Sequence, residues 1–349
     1  MHFKKNLPET VARNRDFWIG EASGMVLAKI EIEGDSVLDM WVDALSPQVI
    51  PDPDTMFQRY VRNFKAREFL LDDAIPTARP SFGSSAYGAF FGADVQFGAT
   101  GAYARPILPD IRGFTELRYD FSTGWLKQQI DTVRYFAEQA RGLCGVSIVE
   151  TMDNLNLAEN LVGSRIYLDL VDRPREILEF FDFALDFNIR LIKAQREHHD
   201  RYAGGCFDIH EIWVPGDTIW LSIDAWNLVS PEVFRRYALH HIQTIINSFG
   251  TAWLHMHNQG LHLLEDVMRL KNLVGIGILD DPTEPRCFPR LRKIQETTGG
   301  MPLQINCTRQ ELEKGLQEGS LPRNVMYWVD KGVRTVEEAN LIMKRVLEY

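Results

Sequence analysis

Long apolar runs are missing from this chain of 349 residues: no stretch approaches the roughly 18 residues of a membrane-spanning helix. A secretory signal segment is also absent. Cysteine is scarce, with four widely spaced residues and no CxxC pair. That excludes a disulfide scaffold and fits free thiols in a reducing compartment. Basic charge is not in excess: 38 Lys and Arg against 48 Asp and Glu give a net charge of −10. A nucleic-acid partner needs a basic field, so none is expected. No strand is followed by GxGxxG or GxxxxGK[ST], which leaves no nucleotide site to propose. Repeats, low-complexity tracts and long linkers are likewise lacking. The expectation is a soluble, cytoplasmic protein that handles a small molecule and contacts neither membrane nor nucleic acid.

What is present is core-forming sequence. With 45% hydrophobic and 11% aromatic residues, the chain can bury one large barrel core or two ordinary ones. Residues 6–73 read as irregular and helical. From residue 75 onward short apolar runs alternate with helical patterns. The runs are 75–82, 145–151, 206–213, 218–224, 251–257, 273–280, 302–307 and 325–330. Ser230-Pro231-Glu232 is a strong helix start, with a serine cap and proline at the first helical position. Eight strands alternating with helices predict an α/β fold, a (β/α)8 TIM barrel. The expected organisation is an N-terminal helical extension over 1–74, packed on a barrel over 75–349.

In such a barrel the strand ends converge on one face, where the chemistry sits. The segment TAWLHMHNQGLH (251–262) is the most informative. His255 and His257 close an apolar run, and residues two apart on a strand share a face, roughly 6.5–7 Å apart. Two imidazoles so placed can converge on one ion or substrate. Asp224 follows IWLSI and precedes Ala225-Trp226. A carboxylate between tryptophans should be desolvated, with a raised pKa suited to proton donation. Asp280, in the DDP segment (280–282), could orient a histidine from behind or cap a turn. Cys307 ends PLQIN (302–306) and could be a thiolate ligand, though a buried thiol is the commoner outcome. Trp213, in WVPG, and Trp226 are expected to wall the mouth and, with Asp280, to hold a cofactor. The pairs His198-His199 and His240-His241 fall on helical stretches and read as structural or solvated.

At these residues the chain resembles the uroporphyrinogen decarboxylase superfamily, which includes the decarboxylase of haem synthesis and the cobamide-dependent methyltransferases. DAWNLVSPEVF (224–234) is similar to the family segment in which an acidic strand end leads through Ser-Pro-Glu into a helix. WLHMHNQGLHLLE (253–265) looks like the strand that carries His-x-Cys-Gly in the methyltransferases. LAENL (157–161) through DLVDRP (169–174), and GADVQ (92–96), resemble two further segments, in the family's order. The departures are specific. The decarboxylase's Met-Arg-Gln-Ala-Gly-Arg loop has no counterpart. His257 stands where the second methyltransferase ligand is cysteine, and the late cysteine position falls at DKG (330–332).

The resemblance implies a corrinoid-linked methyltransferase acting on a small methylated compound or thiol. It implies zinc on His255, His257 and Cys307, with Asp224 handling protons and a corrinoid, free or on a partner protein, as methyl carrier. A homodimer is an open expectation. The alternatives are a metal-free decarboxylase or lyase using Asp224 and His255, a metallohydrolase, and a non-catalytic corrinoid- or tetrapyrrole-binding protein.

Overall fold

The computed structural model describes residues 3–19, 24–34, 52–98, 101–147, 152–199, 201–208 and 210–349. Among these lie twelve strands: β1 (Val26–Ile30), β2 (Thr77–Ala78), β3 (Val95–Gly98), β4 (Gly101–Ala104), β5 (Gly145–Val146), β6 (Gly205–Phe207), β7 (Trp213–Pro215), β8 (Ile219–Ser222), β9 (Ala252–His257), β10 (Leu273–Leu279), β11 (Leu303–Thr308) and β12 (Val325–Lys331). Six of them form one parallel sheet in the order β1-β12-β11-β10-β9-β8. β2 pairs with β5, also in parallel. Two backbone contacts flank that pair: Asp73 N–H donates to the Ala28 carbonyl beside β1 (2.8 Å), and Met152 bridges Ser222 at the end of β8. Helices fill the crossovers. The serine cap is where the sequence put it, Ser230 Oγ accepting from Val233 N–H at 3.3 Å.

Two sheet expectations need correction. The run at 206–213 is not a strand of the parallel sheet; β6 and β7 form an antiparallel hairpin. The stretch read as irregular and helical contributes β1, which pairs with the last strand from Val26↔Val325 to Ile30↔Val329. β1 is fully buried, and a strand covered on both faces shows no alternation to read. Its Lys29 also breaks the apolar run.

Alternate residues on each strand face opposite sides. One face carries Leu254, Met256, Ile276, Ile278, Leu303, Ile305, Cys307 and Val329 into the helix-covered core. The other carries Leu27, Trp220, Trp253 and Met326, packed with Phe17, Ile212 and Val214. Gly275 belongs to this second face: a Cβ there would come within 2.4 Å of the Trp253 ring and 2.8 Å of Trp18. These tryptophans make an apolar floor, and the polar residues of the same faces stand nearer the strand ends.

β1 is held by a pair of buried carboxylates on the approach to β2. Asp72 accepts from Ile30 N–H (2.9 Å) and pairs with Lys4 (2.7 Å). Asp73 accepts from Ala28 N–H (2.9 Å) and pairs with Arg13 of the helix Leu7–Ile19 (2.7 Å). Removing one partner of a buried pair leaves the other charge uncompensated. Asp73→Ala should therefore cost about 3–5 kcal/mol of stability, read as a lower urea midpoint. A loss below about 1 kcal/mol would mean that this brace does not hold β1.

Candidate metal centre

Three sequence-predicted residues come together at the ends of β8 and β9. His255 and His257 share one face of β9, with ring centroids 5.0 Å apart and planes at 81°. Asp224 opens the short turn Asp224–Leu228 just beyond β8. Its Oδ1 lies 3.6 Å from Nε2 of His255 and 3.6 Å from Nε2 of His257. One ligand atom from each residue falls within 4.8 Å of the others. Behind His257, Asp281 Oδ1 lies 2.9 Å from Nδ1, so Nδ1–H donates to it and Nε2 is left facing Asp224. A carboxylate behind an imidazole fixes tautomer and ring orientation, the arrangement found behind metal-bound histidines. Asp281 is itself tied down, its N–H donating to Asn258 Oδ1 (2.9 Å).

The two histidines have opposite electrostatics despite sharing a strand. Burial pushes the His255 imidazole well below its ordinary value, and this outweighs the attraction of Asp224. Its side chain is 4% exposed. It lies nearly parallel to Trp220 (5.8 Å, 28°) and against His210 (4.8 Å). His257, 24% exposed, also feels burial, but hydrogen bonding and attraction from Asp224 and then Asp281 raise it to about 9. Asp224 is lowered to about 2: burial opposes ionisation, and the imidazoles of His255 and His257 outweigh it. The raised pKa expected of a carboxylate between tryptophans is thus overturned. Asp224 therefore stands as a carboxylate.

The remaining candidates lie elsewhere. Cys307 is fully buried on the opposite face of β11 from Asn306, in the helix-side core, and burial drives its thiol well above the usual range. It is not among the converging ligands, and the expected zinc thiolate is lost. Asp280 accepts from Cys287 N–H (2.8 Å) and Arg286 Nε (3.0 Å). It fastens its own loop, and the orienting role belongs to Asp281. Trp213 packs with Leu7, Ile75 and Phe207, its Nε1–H donating to the Tyr202 carbonyl (3.0 Å). Trp226 is buried against Phe181 and Phe234. Neither tryptophan walls the mouth. The aromatic rings next to the histidines are Trp220, stacked on His255, and Trp328, which lies 5.6 Å from His210 and under the Lys29 ammonium (4.2 Å). Parity could have found Trp220, two residues before Ser222 and four before Asp224. No local signal marked Lys29. His262, late in the turn Asn258–Leu263 that follows β9, accepts no such role, since both ring nitrogens meet backbone carbonyls (2.8 and 3.0 Å). Glu150, at the end of the apolar run 145–151, lies outside the described residues.

A raised imidazole has a pH signature. In metal-free protein, the stability His257 gains from its two carboxylates is fully present below pH 6.5. It is lost as pH rises through about 9. Its NMR signals should titrate in that upper range, and Asp281→Asn should bring the midpoint down. An unchanged midpoint in Asp281→Asn would remove Asp281 from this role.

No protein-family model matches the chain, and no curated protein sequence matches it. Among solved structures, a methyltransferase from Methanosarcina mazei superposes with a TM-score of 0.67 at 15% identity, covering 97% of this chain and 98% of that one. At that identity the likeness is one of fold, an α/β architecture shared over nearly the full length.

Proposed function

We propose that this chain is an enzyme of methyl transfer acting on a small molecule, with Asp224, His255 and His257 as its reacting end around a divalent cation. The observation that carries the reading is the convergence of three ligand atoms within 4.8 Å, with Asp281 fixing His257 from behind. The full-length likeness of fold to a methyltransferase supports the reaction class. On the same grounds we read the eight sequential parallel segments as a (β/α)8 barrel, and the chain as a divergent member of the uroporphyrinogen decarboxylase superfamily.

Two imidazoles and a carboxylate suit zinc, which takes such sets in open catalytic sites. A bound zinc ion would lower the pKa of a coordinated thiol or other acceptor. The protein's own groups do the positioning. Asp281 keeps the His257 proton on Nδ1. Trp220 covers His255 and limits water on that side. Asp224, with a side chain 35% exposed, faces the open side, where substrate would enter. A corrinoid, free or on a partner protein, is the methyl carrier this reading calls for.

The form of the reading that needed a Cys307 thiolate is dropped. With nitrogen and oxygen donors only, the set is harder, and that favours one second reading, metal-assisted hydrolysis. Methyl transfer from methylcobalamin to a thiol, assayed with zinc-loaded protein, separates the two.

The metal reading makes its own predictions. Zinc should bind at one site. His257→Ala and Asp224→Asn should abolish most binding, Asp281→Asn should weaken it roughly 10- to 100-fold, and Cys307→Ser should leave it intact. Because His257 is protonated near neutral pH, binding should release about one proton per ion, measurable by calorimetry in buffers of differing ionisation enthalpy. Full zinc retention by His257→Ala would sink the proposal.

A further inference from the structure

Gln304 is the least explained side chain of the interior. It lies on β11, is 1% exposed, and neither Oε1 nor Nε2 has a hydrogen-bond partner among the described residues. A buried amide left unpaired is expensive, and native proteins rarely tolerate one without a role for it. Its place in the sheet supplies that role. Gln304 pairs in register with Gly277, and Gly277 with His255, so the three stand at one level on adjacent strands of the same face. Gly277 has no side chain to intervene. A Cβ there would lie 3.1 Å from Gln304 Oε1 and 3.0 Å from the Trp253 ring. Two strand spacings, about 9–10 Å at the backbone, separate Gln304 from His255.

The chemistry around the Gln304 amide is specific. Nearby charges are already engaged: Lys29 pairs with Glu211 (3.2 Å), and Asp208 accepts from Trp253 Nε1 (3.1 Å) and from the His210 and Ile212 amides. Farther along β11, Asn306 donates to Asp330 Oδ2 (3.1 Å), and Asp330 Oδ1 has no hydrogen-bond partner among the described residues. A cationic group could satisfy Gln304 Oε1 but would leave Nε2 bare. An anionic group would do the reverse and face Asp330. Both atoms are satisfied together by a neutral group with donor and acceptor side by side. We propose that Gln304 recognises an uncharged carboxamide-type group of the substrate and so presents the rest of the molecule to Asp224, His255 and His257. Its orientation toward those residues rests on the function proposed above; the binding itself does not.

The test uses acetamide as probe, with acetate and methylammonium at matched concentration, followed by saturation-transfer NMR on the full chain. Acetamide should bind saturably and the two ions should not. Gln304→Met, similar in shape and without the paired donor and acceptor, should weaken acetamide roughly ten- to a hundredfold without lowering the unfolding midpoint. Gln304→Glu should weaken it as well, and covers the case in which the Met variant does not fold. Zinc affinity should be unchanged in both, and His257→Ala should still bind acetamide. Equal binding of acetate, or undiminished acetamide binding by Gln304→Met, overturns the proposal. So does a lowered midpoint with unchanged binding, which marks Gln304 as structural. Failure of zinc binding with Gln304-dependent acetamide binding intact refutes the metal reading alone.

Discussion

The register of β9 between β8 and β10 is the constraint on which the site depends. Ser222, His255 and Gly277 stand level on three neighbouring strands. A slip of one residue would turn both histidines into the helix layer and present Leu254 and Met256 to the mouth. What prevents it is apolar burial at a distance from the chemistry. Leu254 and Met256 are fully buried under helices. Trp253 fills the floor beside Trp18, at the close approach that Gly275 permits. The hydrophobic effect thus sets the angular position of two polar groups that contribute little to the core.

Environment then makes two identical side chains unlike. His255 is enclosed between aromatic rings, and loss of solvent keeps it neutral. His257, one pleat farther out, keeps some water and two carboxylates, and holds a proton to about pH 9. Burial and partner charge act oppositely on an imidazole, and the balance turns over within two residues. A neutral nitrogen, a displaceable proton and a carboxylate fall together at one point, which is the donor set a cation needs.

The interior divides into engaged and unengaged polar groups. Lys29, Asp72, Asp73 and Asp208 all have partners and serve the frame. His255 Nδ1 and the Gln304 amide have no partner among the described residues, and they stand on one face at one level of the sheet. A buried polar group that the fold leaves without a partner calls for an explanation of its own.

Legibility from sequence followed the range of the interactions involved. Alternation along residues 251–257 was enough to put His255 and His257 on a common face, because strand parity is local. The Ser-Pro-Glu helix start was equally local, and the structure has it. β1 was illegible, since a short strand buried on both faces and carrying Lys29 has no periodic signature, and only pairing with β12 makes it a strand. Parity also separated Cys307 from Asn306, yet which parity faces inward is decided by neighbouring strands. So the cysteine that looked like a ligand lies under the helices, and the unremarked Gln304 lies inside. Asp280 and Asp281 differ by one residue in sequence and by everything in contacts, one fastening its loop and the other holding His257. The sequence by itself determined which residue types could meet at the strand ends. The tertiary structure decided which of them do, because facing across strands depends on register, and register is set by the burial of distant apolar side chains.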